Sequence, residues 1–295
     1  MLFCALCIIW GIPYLLIKVA VRDFSPATLV FGRTAIGALL LLPLAARRGG
    51  LGVLLPHWRP IVVYTIVELA VPWFLLSSAE RRLSSSVSGL LVASVPLIGA
   101  VFALLGFADD RLDWRRTAGL LLGLGGVVAL LGLDIKGSDM GSAGEVLLVA
   151  VGYALGPQII ARQLSGLPSL PVAAASLGLT AIGYAAPAMT ELPTRGPGAG
   201  PIAAVVTLGV VCTALAFVLF FGLIAEAGPL RATVITYFNP AVAVGLGVAV
   251  LGEPFTAGTA LGFVLIIAGS VLATRRPAPS PVATVIATSD ASSHL

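Results

Sequence analysis

Charged residues cut this chain into apolar pieces of about twenty residues, the length that crosses a hydrocarbon core about 30 Å thick as a helix. Ten such pieces are predicted as helices: Leu2 to Val21, Pro26 to Ala46, Trp58 to Ser78, Ser84 to Phe107, Arg115 to Leu133, Ser142 to Ala161, Ser169 to Met189, Gly200 to Ala225, Leu230 to Leu251 and Thr256 to Ala273. Short polar loops join them. The first piece lacks the positive leader and small-residue cleavage site of a signal peptide and nine more follow it, so it reads as a true helix. From Arg275 the sequence RRPAPSPVATVIATSDASSHL is too rich in Pro, Ser and Thr to bury a core, and reads as a disordered tail over 275–295.

The apolar pattern occurs twice. YFNPAVAVGLGVAVLGEPFT, from Tyr237 to Thr256, resembles ASVPLIGAVFALLGFADDRLD, from Ala93 to Asp113, and thirteen residues separate Pro96 from Asp109 and Pro240 from Glu253. Trp10 and Tyr153 likewise occupy the first helix of each half, offset by 143 residues. Such spacing marks an internal duplication, with residues 1–135 as the first unit and 142–274 as the second. Five helices per unit is an odd number, so the second copy crosses the membrane in the opposite sense. The expected fold is therefore an all-α membrane protein of ten transmembrane helices in two inverted repeats. That architecture gives alternating-access carriers a substrate site at the repeat interface near the bilayer midplane.

Composition agrees with the pattern: 58% of residues are hydrophobic, 10% charged, and the mean hydropathy is +1.07, against about 25% charged in soluble domains. The net charge of +4 needs no nucleic-acid partner, because Arg and Lys gather on the cytoplasmic side of membrane helices. Arg47, Arg48, Arg59, Arg111, Arg115, Arg116, Arg162, Arg275 and Arg276 fall on the face shared by both ends of the chain, and Arg22, Arg81, Arg82, Lys136, Arg195 and Arg231 on the other; nine against six favours both termini in the cytoplasm. Cys4, Cys7 and Cys212 lie within spans and carry no paired or metal-binding spacing. No phosphate-binding loop or metal cluster is evident, and the glycines of LLLGLGGVVALLG sit inside a span with no strand before them, which removes a dinucleotide reading. No cofactor and no enzymatic activity are expected.

Candidate chemistry lies in the few polar residues at depth. Glu68, about ten residues into its span, sits where an ionisable group costs several kcal/mol unless paired, hydrated or protonated. It is the candidate proton-coupling group and substrate contact; a permanently protonated structural carboxyl is the plainer reading. Arg33 keeps its charge and could hold a substrate carboxylate, pair with Glu68 or snorkel outward. Lys18, a turn from its helix end, reads as snorkelling. Asn239 lies roughly 13 Å deep, on one face with Thr233, Thr236, Tyr237 and Pro240. This polar stripe either lines a cavity or joins helices. Tyr64, Trp10 and Tyr14 could wall the pocket, whereas Trp58, Trp73 and Trp114 read as an interfacial belt. Pro13, Pro72, Pro96, Pro157 and Pro240, with Pro43 and Pro187, each leave one carbonyl without its helical partner, either for a neighbouring side chain or for a wet cavity. Gly123, Gly125, Gly126, Gly258, Gly262 and Gly269 read as small-residue packing faces of the fifth and tenth helices.

The stretches WGIPYLLIKVAVRDFSPATLVFGR (Trp10 to Arg33), SSSVSGLLVASVPLIGA (Ser84 to Ala100) and NPAVAVGLGVAVLGEPFTAGTALG (Asn239 to Gly262) resemble the drug/metabolite transporter superfamily, in its ten-helix branch of EamA-type permeases. The resemblance covers nearly the whole chain up to Arg275; ADDRLD stands where members commonly carry Gly-Glu. It implies two EamA repeats and an inner-membrane carrier of small metabolites, often acting outward. Amino acids and their relatives are the favoured cargo, from the resemblance together with the opposite charges of Glu68 and Arg33. Other drug, sugar or nucleotide-like cargo and a membrane-embedded enzyme are the alternatives. The expected partners are the substrate, the bilayer and the proton, with the chain a monomer or homodimer.

Overall fold

The computed structural model describes residues 2–47, 51–102, 114–193, 195–227 and 233–274. The acidic turn at Asp109 and Asp110, the basic residues Arg48, Arg111, Arg231, Arg275 and Arg276, and the tail lie outside them.

Ten apolar helices are present among these residues: α1 Leu2–Ala20, α2 Pro26–Arg47, α3 Gly52–Ala79, α4 Ser85–Phe102, α5 Trp114–Asp134, α6 Gly137–Leu164, α7 Ser169–Thr190, α8 Ala199–Glu226, α9 Ile235–Leu251 and α10 Ala257–Thr274. Their packing follows the duplication. α2 packs on α7, α4 on α9 and α5 on α10, so each of these helices meets its own copy; α1 packs on α8 while α6, the copy of α1, packs on α3, the copy of α8. An in-plane two-fold between inverted halves produces this exchange.

The prolines act by restarting helices. α1 is interrupted at Trp10–Gly11, α4 at Ala93–Ser94 and α9 at Phe238, and the following segments begin at Ile12, Val95 and Asn239, each with proline as its second residue. There the missing N–H falls among donors that have no intrahelical acceptor anyway. Pro72 does the same after a π-helical stretch, Thr65–Ala70, where the Tyr184 hydroxyl donates to Ala70 O at 2.9 Å. Its structural counterpart in α8, Val210–Leu215, is also π-helical although no proline follows it. Pro43, Pro157 and Pro187 lie inside continuous helices.

Small residues set the closest approaches. A Cβ on Gly269 would fall on the backbone of Gly119 and Gly123, and one on Gly126 on Leu265 and Ile266. The glycine faces of α5 and α10 thus meet each other. Gly125 has open space around it. Buried Thr34, Thr65, Ser77 and Thr180 donate to carbonyls one turn back in their own helices.

The end at which α1, α3, α5, α7 and α9 finish, called here the distal end, is closed by polar contacts. Asp134 accepts from Thr256 Oγ1 at 2.6 Å and Thr259 Oγ1 at 2.7 Å, Asp23 accepts from Gly198 N at 2.7 Å, and Thr28 reaches the carbonyls of Ala188 and Glu191.

Replacing Gly269 by leucine forces α10 off α5 and should cost about 1–3 kcal/mol by overpacking. Gly125→Leu should be near neutral. Thermal unfolding of both variants in detergent checks this, and equal midpoints would show that this helix pair is not the close contact described.

Candidate functional site

The middle of the bundle gathers chemistry on the widened turns. Glu68 sits on the π-helical stretch of α3, and Cys212 and Thr213 on that of α8. π-bulges are rare and recur at functional sites, because one extra residue in a turn redirects side chains and loosens the carbonyl ladder. Helix α6 fits against this stretch through two glycines: a Cβ at Gly152 would strike Val67 O and Pro72, and one at Gly156 would strike the Glu68 carboxylate. Glu68 is partly buried, and its Oε2 is fully buried with no hydrogen-bond partner.

Arg33 is 4% exposed. Its guanidinium carbon lies 3.6 Å from the centroid of the Trp73 ring, and Nη2 donates to Thr213 Oγ1 at 3.3 Å. Stacking on a desolvated indole contributes about 2 kcal/mol, which helps hold a charge that cannot be lost. Nε of Arg33 is buried and unpartnered. No ion pair joins Arg33 to Glu68. Tyr153 lies beside Trp73 and within electrostatic reach of both Arg33 and Glu68. The interior therefore holds one carboxylate oxygen and one guanidinium N–H that both lack partners.

Of the residues singled out in the sequence, Arg33, Tyr64 and Glu68 come together here; Tyr64 is buried one turn before Glu68. Tyr14 is buried against Gly89 of α4, and Trp10 packs on Phe220 with ring centroids 4.7 Å apart. Thr236 and Tyr237 lie elsewhere: Thr236 stands on an exposed side, and Tyr237 bonds Thr274 of α10 at an apolar groove between α9 and α10. Asn239 has protein partners. With its amide nitrogen turned toward the two carbonyls that face it, it donates to Cys7 O at 3.2 Å and Ile235 O at 3.1 Å. Gly11 rests on the same turn, against Val242 and Asn239 O. The breaks of α1 and α9 thus lie against each other, stitched by one amide.

Two sequence expectations change. Trp73 is 8% exposed beneath Arg33, whereas Trp58 and Trp114, 57% and 74% exposed, stand where an interfacial belt would put them. Lys18 does not snorkel: its Nζ donates to Glu80 O at 2.6 Å and Leu83 O at 2.7 Å. Tyr153, Gly156 and Thr213 were not anticipated as site residues. Tyr153 carried a signal, since it repeats Trp10, but apolar helix pattern alone does not reveal which way a residue points. Two grooves on the bundle surface, between α3 and α7 and between α9 and α10, are lined by apolar residues with a few hydroxyls, Thr65, Thr180, Tyr184, Tyr237 and Thr274, and include neither Glu68 nor Arg33. Among the described residues no group of His, Cys, Asp and Glu is arranged to hold a metal.

Comparison with known proteins bears on this arrangement. The family model described as the EamA-like transporter family matches residues 1–132 and again 144–275. The uncharacterized inner membrane transporter YedA of Escherichia coli strain K12 is 30% identical over 297 residues, covering 94% of this chain and 93% of its own length. A probable terminal-alkyne amino-acid exporter of Streptantibioticus cattleyicolor is 26% identical, covering 90% of each chain. A solved crystal structure matches with a TM-score of 0.66 at 25% identity, over 92% of this chain and 95% of that one.

Asn239→Leu removes the amide donor from Cys7 O and one of the two bonds that Ile235 O accepts, the other coming from Phe238 N at 2.9 Å, and should cost about 1–3 kcal/mol. Thermal unfolding in detergent measures it, and an unchanged midpoint would remove Asn239 as the stitch between α1 and α9.

Proposed function

The chain belongs to the EamA-like transporter family, and from that premise we propose that it is a secondary carrier exporting amino acids or closely related compounds across the cytoplasmic membrane, with both termini in the cytoplasm and Glu68 as the proton-coupled group. The observation that carries the reading is the pair of partnerless polar atoms in the interior, Glu68 Oε2 and Arg33 Nε. An isolated carboxylate at that depth is costly, and the cost is offset by a proton or by a cationic substrate group. A guanidinium N–H in the same interior is a matched donor for a carboxylate. Together they suit a zwitterion, with its ammonium toward Glu68 and its carboxylate toward Arg33. The Streptantibioticus relative, named as an amino-acid exporter, supports the same cargo class.

The mechanism follows from the fold. The inverted halves rock so that the central residues face one side and then the other. The broken α1, α4 and α9 allow helix halves to tilt separately. Glu68 would exchange its substrate contact for a proton when the cavity changes side, so that the proton gradient drives export. Tyr64 and Tyr153 would wall the pocket, and Trp73 would keep the Arg33 fork in place.

Proteoliposome uptake of a pooled set of labelled amino acids, with and without an imposed pH gradient, tests the reading. Wild type should accumulate part of the pool faster with the gradient. Glu68→Gln should lose that acceleration at least tenfold, and Arg33→Lys should lower the apparent affinity by a similar factor, since an ammonium does not reproduce the fork. No uptake above empty liposomes, from protein shown to be monodisperse, would overturn the amino-acid assignment. Gradient-independent uptake by both wild type and Glu68→Gln would make Glu68 structural.

A further inference from the structure

A second buried carboxyl lies away from the central site. Glu80 is the first residue past α3, at the distal end, and it is 0% exposed with both carboxylate oxygens lacking any hydrogen-bond partner. The groups around it form a seal. Lys18 of α1 donates to the carbonyls of Glu80 and Leu83, tying α1 to the turn between α3 and α4. On the opposite side, Gly252 adopts a left-handed conformation (φ 67°) and Glu253 N bonds Gly247 O at 3.0 Å, which ends α9 and turns the next residue back over the bundle. The Glu253 carboxylate then grips the N-terminus of α4, accepting from Ser85 N at 2.6 Å, Ser86 N at 2.9 Å and Ser86 Oγ at 2.6 Å. This bond crosses between the repeats. Serine hydroxyls at positions 85 and 88 are buried beside it without partners.

We propose that this cluster is the distal gate of the carrier, and that the gate closes only when Glu80 is uncharged. The proposal rests on the transporter reading above and adds a second protonation step to it, separate from Glu68. Closing the seal buries a carboxyl that accepts no hydrogen bond, so that only the neighbouring Lys18 ammonium offsets the cost of its charge. Separating Lys18 and Glu253 from the α3–α4 turn would let water reach Glu80, where it ionises freely. The groups that face it are Lys18 and Tyr14 from α1 and Glu253 from the α9–α10 turn, with Arg22 beyond Lys18.

The sign follows from burial. Burial raises the Glu80 carboxyl well above its ordinary value of 4.5; the nearby Lys18 ammonium and, less, the Lys18 main chain oppose the rise, and Glu253 adds to it. A group whose affinity for protons is raised in the closed form stabilises that form fully at low pH and loses the effect as pH rises beyond the ordinary carboxylate range. The gate should be shut in acid and released toward neutral and alkaline pH.

The test uses the full chain with Cys4, Cys7 and Cys212 replaced by alanine, and a cysteine introduced by Ser88→Cys, one turn inside the seal. A membrane-impermeant thiol reagent is added to whichever face labels a Ser138→Cys control in the exposed α5–α6 turn. Rates at position 88 are divided by the control rates to remove the intrinsic pH dependence of thiol reactivity. The normalised rate should rise at least fivefold between pH 5 and pH 8, Glu80→Gln should hold it at the low value throughout, and Glu253→Gln should raise it even at pH 5. A wild-type ratio that is flat with pH overturns the proposal without any charge variant being needed, and so does an unchanged pH response in Glu80→Gln. The assay needs no substrate, so failure of the gate and failure of the amino-acid reading give different results.

Discussion

Every backbone polar group of a membrane-spanning chain must find a partner inside the protein, because the hydrocarbon offers none. Here three helices are broken and three carry widened turns, so that constraint governs the centre of the bundle. At the α1 and α9 breaks the solution is a single side chain: the Asn239 amide reaches a carbonyl of its own helix and one of α1. In α3, the Tyr184 hydroxyl from α7 supports Ala70 O beside Pro72. The breaks allow movement because each has a specific partner, and the same partners fix where the interior side chains stand.

The scaffold is nearly symmetric and its chemistry is not. Of the three π-helical stretches, 65–70, 160–164 and 210–215, the first and last occupy matching places in the two halves, yet one carries Glu68 and the other Thr213. The position 143 residues beyond Arg33 is Ser176, which is buried with an unpartnered hydroxyl. Duplication supplied a two-fold frame, and divergence placed both Glu68 and Arg33 in the first half. A zwitterion is a ligand of matching asymmetry, and it would engage both halves if Thr213 moved with Arg33.

Much of the fold was legible because lipid imposes a simple rule on sequence. Span lengths, the duplicated Pro96 and Pro240 and the odd number of helices per repeat gave ten helices and their inversion before any geometry was known. Depth was legible too, which is why Glu68 and Arg33 stood out. Direction was not. Trp73 lies near a helix end, where tryptophans commonly meet headgroups, and only the packing of α2 on α3 shows Arg33 stacked on its face. Lys18 has the same ambiguity: snorkelling and bonding to backbone carbonyls need the same position in sequence, and which occurs depends on the α3–α4 turn brought beside it. The widened turn in α8 has no proline to announce it. Glu80 fell in a loop, a place where a charge ordinarily meets water, and its complete burial arises only from long-range contacts.

The interior and the distal end differ in how they treat polar groups, and the difference bears on mechanism. At the distal end Asp134, Asp23 and Glu253 all accept two or more hydrogen bonds or a short backbone bond, whereas Glu68 Oε2, Arg33 Nε and the Glu80 carboxylate have no such partner. A fold optimised for stability alone would pair these groups or replace them with apolar ones, since buried unpaired charge is among the most destabilising features a chain can carry. Their retention beside the satisfied carboxylates of Asp134, Asp23 and Glu253 is the pattern expected of groups whose partners arrive and leave. For Glu68 and Arg33 the proposed arriving partner is a substrate or a proton. For Glu80 it is a proton or the water admitted when the seal parts, and that exchange gives a rigid two-fold frame a reason to prefer one facing over the other.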